Sequence, residues 1–368
     1  MGIPTETTTP TEADLTNPAG TNGMAFVEFS AADPDPVADL FRKLGFSPVA
    51  RHASRDAVLW RQGEIDLLLN ADPDTHGGRF AAIHGPCISA IAFRVEDAAT
   101  AFDRALSLGA TEYAGNAGAP LVPGHTLNGI GGSLLYLIDP AAEATIKGDI
   151  FCPETGGAIP AVQGAGFLAV DHLTHNVHAG QVEHWAAFYR RIFNFREVFY
   201  LETKGARTGF RTRAMKSPCN RICIPVNEPT DPQSQIQEYI DIYKGEGVQH
   251  LAFLSGDLNA SMEVIAPAGI PTQPIPPSYY EGVDARLPGH GQDVARLQRN
   301  GILLDGERRD PGDWGLLLQV FSKNLMGPIF FEFIERRGNE GFGEGNAKAL
   351  FEAIERDQIA RGVVDAAA

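Results

Sequence analysis

Three short apolar runs in this chain each carry a residue of a kind that binds metal ions. Residues 170–177, V-D-H-L-T-H-N-V, hold His172, and residues 247–253, G-V-Q-H-L-A-F, hold His250. Residues 327–337, G-P-I-F-F-E-F-I-E-R-R, set Glu332 among Ile329, Phe330, Phe331, Phe333 and Ile334. A carboxylate in such surroundings is costly to bury unless something binds it. Two histidines and a carboxylate leave part of an octahedral Fe(II) open, so that a chelating substrate and O2 can both approach. The same donors also hold zinc or manganese, so residue types alone do not choose the metal.

Each run reads as a strand, which fixes directions. Alternation places His172, Thr174 and Asn176 on one face and His175 on the other. On the last run Phe330, Glu332 and Ile334 share a face, and Glu335 points away. A lone histidine on an apolar strand is more often a hydrogen-bonded core residue than a ligand. The argument for ligands therefore rests on how the three positions are related.

That relation is an internal repeat. The pattern predicts strands over 24–30, 88–95 and 133–138 and helices over 36–44 and 98–108 in the first half. Strands over 168–177, 248–254 and 329–335, with helices over 182–192, 236–243 and 258–268, follow in the second. I-A-F-R-V-E-D from Ile91 matches L-A-F-L-S-G-D from Leu251, and S-L-L-Y-L-I-D from Ser133 matches I-F-F-E-F-I-E from Ile329. M-A-F-V-E-F from Met24 is laid beside H-L-T-H-N-V from His172. This alignment sets Met24 opposite His172, Ala90 opposite His250 and Tyr136 opposite Glu332. Only the second half carries metal-binding groups at all three places, which marks the first as structural and the second as chemical. His175 and His178 read as outer or surface groups, His184 as solvated on a helix, and His290 as a loop residue. His52, His76, His84 and His125 lie in the half without partners.

Residues 1–19, rich in Thr, Pro and Glu, read as a disordered leader; residues 20–153 as the first domain; residues 154–368 as the second. Residues 139–166, rich in Pro, Gly and Ala, read as a linker region. An amphipathic helix over 346–361 follows the glycine-rich G-F-G-E-G and is placed to act as a lid. The net charge of −16 disfavours nucleic acid and anionic membrane as partners. Cys87, Cys152, Cys219 and Cys223 are scattered and read as buried thiols of a reducing compartment. There is no secretory h-region and no apolar run long enough for a membrane span, so the expected location is cytoplasmic.

Taken together, V-D-H-L-T-H-N-V, I-P-V-N-E-P, S-Q-I-Q-E-Y, G-V-Q-H-L-A-F, L-L-L-Q-V-F-S and F-F-E-F-I-E-R resemble the 4-hydroxyphenylpyruvate dioxygenase family of the vicinal oxygen chelate superfamily. The resemblance runs from about Asn17 to Val364. It implies an α+β fold of two homologous domains, each built from paired βαβββ modules that form an open, barrel-like sheet with flanking helices. It implies Fe(II) held by His172, His250 and Glu332. It implies a substrate pocket of Thr212, Pro225, Asn227, Gln235, Gln249, Gln319, Phe321, Phe330, Phe342 and Ala347, with Gln249, Asn227 and Gln235 serving catalysis. The implied reaction turns 4-hydroxyphenylpyruvate and O2 into homogentisate and CO2 in tyrosine and phenylalanine catabolism. The implied assembly is a homo-oligomer, dimer or tetramer.

Two departures bear on the pocket. Thr212 stands where the family usually has Ser, beside Arg211, and Ala347 stands where it has a Phe that packs on the substrate ring opposite Phe321. Hydroxymandelate synthases, which oxidise the benzylic carbon of the same substrate, also carry a smaller side chain at the latter place, whereas Pro225 matches the dioxygenase. A missing ring removes ~0.5–1.5 kcal/mol of stacking and leaves space. Ala347→Phe is therefore expected to raise the yield of homogentisate. An unchanged product ratio and rate, measured by chromatography of the products, would mean that the pocket is closed in another way.

Overall fold

A computed structural model describes residues 11–153, 156–204, 209–310 and 313–346. Among the described residues sixteen strands build two eight-stranded sheets. The first contains β1 (Thr21–Ser30), β2 (Ser47–His52), β3 (Ala57–Gln62), β4 (Ile65–Asn70), β5 (Cys87–Val95), β6 (His125–Asn128), β7 (Leu134–Ile138) and β8 (Phe151–Cys152). The second contains β9 (Phe167–Asn176), β10 (Arg196–Lys204), β11 (Gly209–Lys216), β12 (Cys223–Pro229), β13 (Gly247–Ser255), β14 (Leu303–Asp310), β15 (Asp313–Phe321) and β16 (Phe330–Arg337).

The sheets share one plan. Their orders are β6-β7-β5-β1-β4-β3-β2-β8 and β10-β11-β12-β9-β13-β16-β15-β14. Each has a central antiparallel pair, β1 with β5 and β9 with β13, flanked on both sides by a parallel neighbour. This is the paired-module arrangement, with β14 the counterpart of β10 in the second sheet and β8 added at the edge of the first. The helices expected from the periodicity form at Asp35–Lys43, Ala98–Ser107, Val182–Phe193, Gln235–Tyr243 and Leu258–Ile265. Their apolar sides and one face of each sheet make a common core across both halves. Within it Phe29 stacks on Phe331 at 6.3 Å and Phe46 meets Phe253 at 5.4 Å.

Strand register corrects the alignment of the halves. Across its two neighbours Ala252 faces His172 and Glu332, while Ala92 faces Phe26 and Tyr136. The counterpart of His172 is thus Phe26, not Met24, and its ring lies 5.4 Å from that of Tyr136. An aromatic pair fills the space that a histidine and a glutamate share in the second half.

Other expectations shift. Residues 1–10 lie outside the described set, but Glu12–Leu15 is a helical turn and Ala19 is buried, so the chain joins the fold before residue 20. The region expected to be a linker contains the helix Pro140–Thr145, a π turn at Ile146–Ile150 and β8. We propose the domain division at residues 153–154, between β8 and β9. A helix absent from the sequence reading, His76–His84, is the counterpart of Gln235–Tyr243. Two glycines mask its periodicity, and one of them is required: a Cβ on Gly77 would meet Ser30 Oγ at 2.3 Å and Glu28 Oε1 at 2.4 Å. The expected lid helix falls outside the described residues except at Asn346.

Glu28 is buried in the first sheet. Its Oε1 accepts hydrogen bonds from Asn70 Nδ2 at 2.8 Å and Ser89 Oγ at 3.2 Å, and Oε2 is unpartnered. Burial outweighs these bonds and pushes its pKa up to about 7, above the unfolded value near 4.5. The folded state therefore binds this proton more tightly. Stability from this group is full below the unfolded pKa and is lost as pH rises through about 7. Glu28→Gln is expected to stabilise the protein at pH 8, by up to ~3 kcal/mol, with the gain shrinking toward pH 5. Urea unfolding at both pH values checks this; an equal change at both would overturn it.

Candidate metal centre

β9, β13 and β16 are neighbours at the middle of the second sheet, and each contributes one candidate ligand. His172 Nε2 lies 3.1 Å from Glu332 Oε2 and 3.3 Å from His250 Nε2, and His250 Nε2 lies 3.7 Å from the same carboxylate oxygen. One donor atom from each falls within 4.8 Å of the others, and the group forms the only such His/Cys/Asp/Glu cluster among the described residues. The first-half histidines are spent elsewhere: His52, His76 and His84 bond the carbonyls of Leu121, Gly132 and Tyr243.

The two histidines are oriented by the same device. Register passes from the pair His172–Ala252 to Val170–Phe253, so Asp171 has no opposite residue. It passes likewise from His175–Val248 to Thr174–His250, so Gln249 has none. Each skipped residue is the extra member of a β-bulge, which breaks alternation and swings its side chain toward the adjacent histidine. Asp171 Oδ1 accepts from His172 Nδ1 at 2.8 Å, and Gln249 Oε1 accepts from His250 Nδ1 at 3.2 Å. Both rings are thereby held with Nε2 turned to the centre, the arrangement in which a neutral imidazole serves a metal.

Glu332 is oriented from its other side, where Gln319 Nε2 donates to its Oε1 at 2.9 Å. Arg336 clasps Asp171 through two bonds of 2.7 and 2.9 Å. Burial alone would raise the pKa of Asp171, but Arg336 and His172 outweigh it and hold the carboxyl well below its usual range. At His172 burial favours the neutral ring, yet the carboxylates of Glu332 and Asp171 prevail and push its pKa up to about 9. At His250 burial and the neighbouring His172 push it down. The carboxylates thus favour a positive charge at His172, which either a proton or a cation can supply, while His250 is kept neutral.

The expected pocket residues fall into three groups. Phe330 stacks on the His250 ring at 4.5 Å, Phe321 meets Phe330 at 6.4 Å, and Phe342 lies 5.9 Å from His172. Farther along the sheet, Thr212 pairs with Asn227 and Ala214 with Pro225, and Asn227 Nδ2 reaches Asn176 Oδ1 at 3.3 Å. Arg211 turns to the other face and binds Glu228 at 2.8 Å. Gln235 stands apart, exposed at the first position of its helix. Ala347 lies outside the described residues. His175 is neither outer partner nor surface group: it is fully buried on the reverse face, 3.0 Å from Tyr189 Oη. Asp171 and Arg336 went unremarked in the sequence, although an acid adjoining a histidine was visible there.

The chain matches two family descriptions. Residues 169–284 match the Glyoxalase/Bleomycin resistance protein/Dioxygenase superfamily, which defines the class. Residues 15–151 match Hydroxyphenylpyruvate dioxygenase, HPPD, N-terminal. It is 46% identical over 355 residues to the 4-hydroxyphenylpyruvate dioxygenase of Pseudomonas sp. (strain P.J. 874), covering 96% of this chain and 99% of that one. It is also 46% identical to Hemolysin VllY of Vibrio vulnificus (strain CMCP6), with 96% and 99% covered. A variant of 4-hydroxymandelate synthase from Streptomyces coelicolor has a similar structure, with TM-score 0.76 and 26% identity over 92% of this chain and 99% of that one. The chain belongs to the 4-hydroxyphenylpyruvate dioxygenase family and is an oxidoreductase of the dioxygenase class.

His175 provides a control for the centre. Burial pushes its pKa down to about 3, so it is a neutral core residue. His175→Leu is expected to cost ~1–3 kcal/mol by leaving Tyr189 unpaired, while leaving metal content per chain unchanged. Thermal unfolding and elemental analysis check both parts; loss of metal in a folded variant would overturn the assignment of faces.

Proposed function

We propose that the chain converts 4-hydroxyphenylpyruvate and O2 to homogentisate and CO2, with Fe(II) held by His172, His250 and Glu332. The observation that carries this reading is the convergence of these three side chains, with both histidines turned Nε2-inward by Asp171 and Gln249. When bound, the iron supplies the place where the substrate's 2-oxo acid and O2 are brought together. Everything else falls to the protein.

Phe330 and Phe321 form an apolar wall beside His250 that suits the aromatic ring of the substrate. Phe342 closes the His172 side and helps to keep water out. Gln249, Gln319 and Asn227 are uncharged and buried, and orient substrate oxygens without adding charge to the centre. Thr212 and Pro225 complete the far wall, while Gln235 stands apart from them at its exposed helix end. The substrate loses its carboxyl group as CO2, one oxygen atom enters the ring and the other the new carboxylate, and the carboxymethyl group migrates on the ring. Positioning matters most, because an oxidant formed here attacks whatever lies nearest. In the same reading the enzyme is cytoplasmic, acts in tyrosine and phenylalanine breakdown and assembles as a homo-oligomer.

A second reading, formation of 4-hydroxymandelate or use of another aryl-pyruvate, is favoured by Ala347 and by the likeness to the synthase structure. Anaerobic loading with Fe(II) and 4-hydroxyphenylpyruvate, followed by O2, separates the two. Homogentisate supports the first, 4-hydroxymandelate replaces it with the second, and absence of oxygen uptake removes both. His250→Ala should abolish iron-dependent turnover, and an active, iron-loaded variant would refute the ligand assignment.

A further inference from the structure

We propose that Arg336 is a positioning residue that couples the ligand His172 to the chain segment 339–346. The inference rests on the reading of His172, His250 and Glu332 as a metal site. Arg336 follows Glu332 on β16, and its guanidinium divides its donors between two tasks. Nε and Nη2 bind the two oxygens of Asp171 at 2.7 and 2.9 Å. Nη1 donates to the carbonyls of Asn339 at 3.1 Å and Gly341 at 2.8 Å. The first pair of bonds fixes the carboxylate that orients His172. The second fixes the backbone leading into Phe342, whose ring lies 5.9 Å from the guanidinium and 5.9 Å from the imidazole of His172.

The segment is tied to the centre at its other end as well. Asn346 Nδ2 donates to Gln319 Oε1 at 2.8 Å, and Gln319 Nε2 donates to Glu332 Oε1 at 2.9 Å. Asn346 is held in turn by Tyr279, whose hydroxyl donates to its Oδ1 at 2.7 Å. Two of the three ligands therefore reach the same eight residues through one intermediary chain each. Gly343 fits this role, for a Cβ there would meet Gln319 Oε1 at 2.0 Å.

A shared rigid donor makes the two tasks interdependent. The planar fork of arginine can satisfy a carboxylate side-on and still present Nη1 to the loop, whereas a lysine ammonium cannot span both. A cation that fixes His172 and Glu332 should therefore steady the segment, and a seated segment should tighten the cation by the same factor, because binding linkage is reciprocal. A merely structural Arg336 would hold the loop equally well with or without metal.

Full-length protein and Arg336→Lys, titrated anaerobically with Co(II) against a competing chelator, provide the test, with amide hydrogen exchange of residues 338–346 read in both metal states. Wild type should show slower exchange when Co(II) is bound. Arg336→Lys should bind Co(II) about 10–100-fold more weakly, and exchange at residues 338–342, next to its lost bonds, should no longer respond to the metal even though the Gln319–Asn346 link remains. Asp171→Asn, which breaks the same link from the other end, should reproduce both effects and serves if Arg336→Lys does not fold. Unchanged affinity in the folded variants, or wild-type exchange indifferent to Co(II), overturns the coupling while leaving the metal site intact. Wild type that fails to bind Co(II) overturns the metal reading and this inference together.

Discussion

A carboxylate with almost no exposure, set between phenylalanines, governs the second half of this molecule. Glu332 is 2% exposed, and its strand neighbours Phe331 and Phe333 are fully buried on the opposite face. An unpaired ion there would be ruinous to stability. The fold meets the demand with partners drawn from both adjoining strands: His172 across β13, His250 on it, and Gln319 on β15. Asp171 adds a second buried negative charge one residue from His172, and Arg336 balances it. What is left over is a site of one carboxylate and two imidazoles, which is the chemistry of a divalent ion's pocket.

The first half shows the same frame solved without charge. Phe26, Ala90 and Tyr136 occupy the places of His172, His250 and Glu332, and the ring pair fills the space by packing. A buried acid there, Glu28, sits two places farther along β1, with Asn70, Ser89 and Ser30 all bonded to its Oε1 and none to Oε2. Burial still raises its pKa, so this half tolerates an acid best when it is protonated. The comparison separates what the architecture requires from what the chemistry requires. The central pairs, the parallel flanks and the shared aromatic core belong to the first; three side chains and two bulged neighbours belong to the second.

Much of this was legible in the sequence because it was carried by pattern. The repeat, the strand types and the identities of His172, His250 and Glu332 follow from apolar runs interrupted at corresponding places. The misplaced strand residues have one physical source, which is that strict alternation does not survive a bulge. Met24 was set against His172 because both alignments were counted without the irregular register between β1 and β5. Asp171 drew no attention for the same reason, and Gln249 was named only through the family resemblance and as a substrate contact, not as the partner of His250. The helix His76–His84 escaped because Gly77 is dictated by a close approach in space rather than by helical periodicity. Arg336, in a run of charged residues at a strand end, looks like solvated surface until Asp171 and the loop carbonyls are brought to it.

The aromatic pair in the first half has a consequence for the life of the protein. The first sheet packs with uncharged side chains at all three corresponding places, Phe26, Ala90 and Tyr136. In the second half, Asp171, Gln249 and Gln319 already hold the three ligands in place from outside. Small metal-nucleated domains collapse when the ion is stripped; here a packed aromatic core shared with the first half surrounds the three strands. A metal arriving at this centre would therefore meet side chains already oriented by hydrogen bonds, rather than having to gather them itself.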